Sequence, residues 1–176
     1  RVEGMLGEVA KAVQISTIHS FCVRLLREDI LEVGYPRNFT ILDSDDQKSI
    51  LRDAYKQMQI DVKSYSYNSM LGYISANKTN FVDPVMAKAN AGPWAGEQIK
   101  ADVYAYYEKR LKEMYGLDFD DLLIFAYRIL KDKEEVRAKW QRRFTYIHVD
   151  EFQDVDNLQY AIIRLLVGDH SYLCVV

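Results

Sequence analysis

The 176-residue chain carries 23 Lys and Arg against 26 Asp and Glu, a net charge of −3, with 49% hydrophobic and 28% charged residues. These proportions describe a soluble globular protein of one domain or two small ones; no apolar run approaches the ~20 residues that span a bilayer, so no membrane partner is expected. The near-neutral balance excludes holding nucleic acid by bulk charge alone, and Cys22 and Cys174 lie too far apart for a disulfide framework or a Cys-based zinc site, so a reducing, cytoplasmic setting is the default.

In chain order, residues 13–16 alternate apolar and polar and predict a strand. Ser16 or Thr17 then caps a helix whose apolar positions Ile18, Phe21, Cys22, Leu25, Leu26 and Ile30 recur every three or four residues, ended by Gly34-Tyr35-Pro36. Between Gly34 and Gly116 the pattern is helical with almost no strand signal. One stripe, Ile50, Leu51, Ala54, Tyr55 and Met58, follows Asp45-Asp46, and a second runs through Val103, Tyr104, Tyr107, Leu111 and Met114. Residues 87–98 predict a loop. Residues 145–149 are a β-rich run followed by acids, Leu158 to Leu166 mark a helix closed by Gly168, and 172–176 is a further β-rich run.

Strand–helix–strand order argues for a parallel sheet flanked by helices. More than a hundred residues separate the first strand from the next clear one, whereas a βα crossover needs only a dozen or so. The predicted fold class is therefore α/β with a mainly α-helical inserted subdomain. The whole acidic excess falls in residues 118–176, which carry 8 basic and 11 acidic residues. A chain that opens at Arg1 and stops inside the apolar run 172–176 reads as a piece of a longer protein.

The chemistry-bearing string is Asp150-Glu151-Phe152-Gln153-Asp154, after the run Tyr146-Ile147-His148-Val149. Acids at the C-terminal end of a buried parallel strand sit where open α/β sheets bind ligands, and such carboxylates can hold Mg²⁺ and activate water. The alternative is a charged strand-to-helix turn in which Asp154 or Asp156 caps the next helix. His148 is expected to pack in the sheet and His170 to lie in a loop. Tyr104, Tyr106 and Tyr107 could serve as a stacking platform for bases, but their spacing to Leu111 and Met114 favours helix packing.

The extended string resembles the DExQD motif of the UvrD/Rep/PcrA family of superfamily-one helicases. Three further stretches resemble that family in its own order: Ser16-Thr17-Ile18-His19-Ser20, the segment Arg37 to Asp43, and Leu117-Asp118-Phe119-Asp120-Asp121-Leu122-Leu123. The resemblance implies that residues 1–33 and 118–176 are parts of a RecA-like P-loop NTPase domain (1A) and that 34–117 is the helical 1B subdomain. It implies ATP and Mg²⁺ as cofactors, 3′-to-5′ translocation on single-stranded DNA, and unwinding of duplexes at single/double-strand junctions. Carried over by position, Asp150 and Glu151 are the metal-side residues, Glu151 activates water, and Gln153 senses the nucleotide γ-phosphate. Thr17 and His19 would face the single strand, or act only as a helix cap and a polar helix start. In Ser75 to Asn80, Lys78 would contact a phosphate and Asn77 or Asn80 supply a hydrogen bond near the duplex, unless this stretch is only a polar turn.

Ile18 stands where the family usually has Phe, and Val155 where Thr or Cys is more common, which bears on packing. The sequence contains no Gly-Lys dipeptide and hence no G-x-x-x-x-G-K-[ST] phosphate loop, so the chain alone, expected as a monomer, is predicted to be inactive. Competing readings are a non-catalytic nucleic-acid-binding or scaffold module with this fold, and a Mg²⁺-dependent hydrolase built on Asp150, Glu151 and Asp154.

Overall fold

The computed structural model describes residues 13–176; the first twelve residues of the expected 1–33 segment lie outside it. Two hydrophobic cores organise the chain. The first is built by α1 (Ile18–Asp29), α6 (Phe119–Asp132), α7 (Glu134–Gln141) and α8 (Asn157–Leu166). Cys22, Leu25, Leu26 and Ile30 meet Leu122, Ala126, Ile129 and Leu130, with Trp140, Leu158, Ile162 and Leu166 closing the cluster. The apolar residues of α1 and α6 fall on one face because three- and four-residue steps return to the same side of a 3.6-residue helix.

Three of these four helices, α1, α6 and α8, begin on a capping side chain. Thr17 caps α1 by accepting from Ser20 N, Asp156 caps α8 by accepting from Gln159 N, and Asp118 and Asp121 form a reciprocal capping box at α6. The C-terminal end of α1 is tied to α7 by charge. Lys139 Nζ reaches both oxygens of Asp29 at 2.5 and 2.6 Å, and Arg143 pairs with Glu28 through two bonds of 2.9 and 2.8 Å.

The second core lies in the helical middle: α2 (Ser44–Met58), α3 (Tyr67–Thr79), α4 (Pro84–Asn90) and α5 (Ala95–Glu113). Leu51, Ala54, Tyr55, Met70, Ile74, Ala101, Val103, Tyr104, Tyr107 and Leu111 are buried together. Tyr104 and Tyr107 are thus packing residues, and Tyr106 packs at the edge while its hydroxyl accepts from Gln57.

The chain passes between the cores through a short ladder that periodicity does not reveal. β1 (Thr40–Ile41) runs parallel to β2 (Gly116–Leu117), with Thr40 opposite Gly116 and Ile41 opposite Leu117. Leu42 N donates to Leu117 O at 2.9 Å and Thr40 N to Tyr115 O at 3.1 Å. Tyr35, Phe39 and Ile41 pack on the first core and Leu42 on the second, so the change of core falls between Ile41 and Leu42. Gly116 is required here by space: a Cβ on it would sit 2.5 Å from Leu42 Cδ1 and 3.3 Å from Leu111 Cδ2.

The second parallel pair is β3 (Tyr146–Val149) with β4 (Tyr172–Val175), in register from Tyr146 opposite Tyr172 to Val149 opposite Val175. The intervening α8 makes this a βαβ unit, as the order of elements required.

Three sequence expectations are corrected. Residues 13–16 are not a strand: they pair with no strand among the described residues, and Val13 and Ile15 are 44% and 68% exposed. Alternation marks one face of a sheet, and here no neighbouring strand covers that face. The loop expected over 87–98 shrinks to residues 91–94, because Asp83 caps a helix with Pro84 in its first turn and α5 starts at Ala95. His148 is not packed in the sheet but lies on its exposed face, opposite Cys174. His170 lies in an exposed turn.

Candidate nucleotide and DNA site

β3 delivers Asp150 and Glu151 to its C-terminal end, and the backbone there is shaped by the neighbouring strand. Val176 N donates to Val149 O at 3.0 Å, and Phe152 N donates to Val176 O at 2.9 Å. Between those two bonds Glu151 adopts φ 53° and ψ 43°. A non-glycine residue in this left-handed region stores roughly 1–3 kcal/mol of strain and persists where its surroundings over-determine it. The turn continues as one 3₁₀ turn (Phe152–Asp154), and Phe152 anchors it edge-on to Tyr160 of α8, with ring centroids 6.0 Å apart.

Asp150, Glu151 and Gln153 are brought together and all three are exposed. Asp150 Oδ1 accepts from Glu151 N at 3.0 Å, and the Gln153 amide donates to Glu151 Oε2. Asp150 Oδ2 takes no protein donor among the hydrogen bonds of the described residues. No group of three or more His, Cys, Asp or Glu among the described residues is placed to hold a metal ion unaided. That suits Mg²⁺, which binds through one or two carboxylates and takes its remaining ligands from water and substrate phosphates. The donor set therefore fits a phosphate-bound Mg²⁺ better than an all-protein cage, and Asp154 does not complete a third carboxylate ligand.

Thr17 and His19 lie at the start of α1. The Thr17 hydroxyl is occupied in capping, accepting from Ser20 N at 3.2 Å and donating to Ser20 Oγ at 3.0 Å. His19 is half-buried, its ring 5.5 Å from that of Phe119, which is itself 51% exposed. Asp120 follows; burial pushes its carboxyl above the usual range, against the pull of a hydrogen bond from Ser75 and the nearby His19. Ile18 packs against the first core, so the branched side chain in place of the expected ring serves packing. Val155, half-buried, ends the 3₁₀ turn.

Lys78 is the clear correction. It does not present its ammonium to a phosphate: it is 5% exposed, and Nζ lies 2.7 Å from Asp118 Oδ2, 2.8 Å from Asp121 Oδ1 and 2.9 Å from Glu108 Oε1. Tyr107 adds its hydroxyl to Asp118 Oδ2 at 2.9 Å. Burial alone would lower the Lys78 pKa, but Asp121, Asp118 and Glu108 outweigh it and hold it well above the ordinary lysine value. A buried cation so compensated has no capacity left for an outside anion. Asn77, one residue earlier on α3, is half-buried and donates its amide to Tyr73 O at 2.8 Å, while its side-chain oxygen takes no donor among the described residues.

Sequence reasoning missed both the Phe119 ring beside His19 and the carboxylate cage around Lys78. The paired Asp118 and Asp121 were visible as a motif, but nothing local signals a partner 40 residues away.

With this geometry described, comparison with known proteins is informative. The UvrD/REP helicase N-terminal domain family matches the chain over residues 1–176. The ATP-dependent DNA helicase PcrA of Bacillus subtilis is 42% identical over 176 residues, covering 100% of this chain and 24% of its own length. The PcrA proteins of Staphylococcus aureus and Staphylococcus epidermidis are 39% identical over the same span. The chain thus spans about a quarter of the length of these relatives. A family match across every residue, joined to the acids at the end of β3 and to relatives of this identity, shows that the chain belongs to the UvrD/REP helicase family and is a PcrA-like portion of its N-terminal domain.

Proposed function

We infer that this chain is part of the ATP-driven motor of a 3′-to-5′ DNA helicase, acting on single strands and single/double-strand junctions, with residues 1–33 and 118–176 in a RecA-like part and 34–117 as its helical insertion. The observation that carries the reading is the set Asp150, Glu151 and Gln153 at the C-terminal end of a parallel strand, held by the left-handed turn at Glu151.

Bound Mg²⁺ would neutralise charge developing on the transferred phosphoryl oxygens. Asp150, whose Oδ2 takes no donor among the described residues, would help to hold the metal. Glu151 accepts the proton of the attacking water, and the Gln153 amide, already bonded to Glu151, orients that carboxylate and reports on the γ-phosphate. Thr17 and His19 at the start of α1, and Asn77 on α3, supply contacts to the DNA backbone that position without reading sequence.

The chain contains no Gly-Lys dipeptide, so the phosphate-cradling loop must come from elsewhere in the protein. We propose accordingly that the 176-residue chain by itself has no ATPase or unwinding activity. In a protein that carries this chain together with that loop, Glu151→Gln should leave Mg·ATP binding within about twofold and lower hydrolysis by roughly 10²–10⁴-fold, the usual contribution of a general base. An equal loss of binding would overturn the assignment. Unwinding of duplexes carrying either a 3′ or a 5′ tail tests the polarity, and DNA-stimulated phosphate release from the isolated chain, abolished by Glu151→Gln, would overturn the inactivity.

A further inference from the structure

Lys78 sits at the only place where a charged side chain of the helical middle is fully buried against the first core, among the described residues. Its partners come from two bodies: Glu108 and Tyr107 from α5 in the second core, Asp118 and Asp121 from the first turn of α6, which belongs to the first core. Among the described residues, this cluster ties side chains of the two cores by charge.

Two chain neighbours give the tie a consequence. Asn77 precedes Lys78 on α3, and Phe119, whose ring meets His19, follows Asp118. Asn77 is therefore one residue from the buried ion cluster, and His19 meets it only through the ring of Phe119, one residue from Asp118.

A hydrophobic contact would bury these surfaces as well. A cluster of one ammonium and three carboxylates instead demands one geometry, because any shift leaves a buried charge uncompensated. We propose that Lys78 is a positioning residue: through Asp118, Asp121 and Glu108 it locks the helical insertion to the first turn of α6, and so fixes where Asn77 stands relative to His19 when a single/double-strand junction is bound. The DNA half of this inference rests on the functional reading above; the mechanical half does not.

The test uses the helicase that carries this chain. Lys78→Met alone leaves three carboxylates without a cation and could unfold the boundary. Lys78→Met with Asp118→Asn removes the ammonium and the carboxylate that stays ionised beside it, so it severs the tie while keeping the local charge balance, and the amide oxygen can still cap α6. Spin labels at Lys63→Cys and Arg164→Cys, exposed positions on the two bodies, in a background lacking other exposed cysteines, report their separation. The double variant should broaden that distance distribution. It should also weaken junction binding by about fivefold or more, the range of modest inter-site coupling, while DNA-stimulated ATP hydrolysis on single strands stays within about twofold.

An unchanged distribution overturns the proposal. Equal losses of single-strand-stimulated hydrolysis and junction binding also overturn it, since they mark general structural damage. If the unmodified protein binds no DNA, the functional reading falls and the junction half with it, while the distance measurement still decides whether the lock exists.

Discussion

The indole Nε1 of Trp140 donates to Asp29 Oδ2 at 2.7 Å, joining the fully buried ring of α7 to the last residue of α1. The ring is also flanked edge-on by Phe21, at 5.4 Å, and covered by the Arg143 guanidinium, 4.2 Å above it. One carboxylate therefore serves a buried N–H and the Lys139 ammonium together.

Asp29→Ala should leave that indole N–H buried without a partner and lower stability by about 1–3 kcal/mol. Trp140→Ala, which empties a fully buried site, should cost about 3–5 kcal/mol. Urea unfolding of the 176-residue chain checks both, and a smaller loss for the tryptophan than for the aspartate would contradict the packing described.

The cluster around Lys78 makes stability depend on pH. Burial pushes Asp121 up to about 7 from an ordinary 3.8, with Lys78 pulling it down and Asp118 and Glu108 pushing it further up. Three ionised carboxylates about one ammonium would leave two negative charges unbalanced, and burial keeps Asp121 from staying ionised among them. Asp118, hydrogen-bonded by Lys78, Tyr107 and the Asp121 N–H, is held below its usual value against the opposing effect of burial, so the proton resides on Asp121.

Because folding raises the Asp121 pKa, its neutral form favours the folded state. That contribution is fully present below about pH 4 and is lost as pH rises through 7. Asp118 works in the opposite sense, losing its contribution only as pH falls below the ordinary carboxylate range. The melting temperature should therefore decline between about pH 4 and pH 7, and Asp121→Asn, which cannot ionise, should flatten that decline. A slope unchanged by Asp121→Asn would show that the proton sits elsewhere.

At the ladder, Gly116→Ala would place a methyl 2.5 Å from the fully buried Leu42 side chain. Overpacking of this kind costs about 1–3 kcal/mol, and should be relieved in part by Leu42→Val. Thermal unfolding of the single and double variants decides it: equal losses would show that backbone freedom, not space, selects glycine there.

The two cysteines should react very differently. Cys22 is fully buried in the first core, and burial pushes its thiol up to about 12, whereas Cys174 lies exposed on β4. Iodoacetamide at mildly alkaline pH should modify Cys174 alone in the folded 176-residue chain, with Cys22 following only on unfolding. Mass spectrometry of the peptides reads the result.

Much of this architecture is written in local pattern. The stripes of α1, α2, α5 and α8, the caps at Thr17 and Asp156, and the β-rich runs of β3 and β4 are set by nearest neighbours in the chain and lie where periodicity places them, except that Met58 and Met114, expected to end the stripes of α2 and α5, are exposed. The expected strand at 13–16 failed because a strand is a relation between two segments, and alternation describes only one. The helix beginning at Pro84 carried a legible start, Asp83 before Pro84, that the glycine and tryptophan of the following turn obscured. β1 and β2 are two residues each, too short for any period.

The site divided along the same line. Asp150, Glu151 and Gln153 are contiguous, so their meeting needed only a turn, although the left-handed backbone of Glu151 had no signal in its residue type. Lys78 was misread because a lone lysine in a polar stretch resembles a solvated one until its partners, 30 to 43 positions later, are brought to it.

The β1–β2 ladder also has a meaning for how such a chain can be remodelled. Thr40 and Gly116 are side-by-side partners, and adjacent strands lie about 4.8 Å apart. The helical middle is thus entered and left through one doorway, in the manner of a cassette that a short linker could replace without moving the helices on either side. Excision would carry away Lys78 and open Asp118 and Asp121 to water, turning the most exacting electrostatic site in the molecule into an ordinary helix cap.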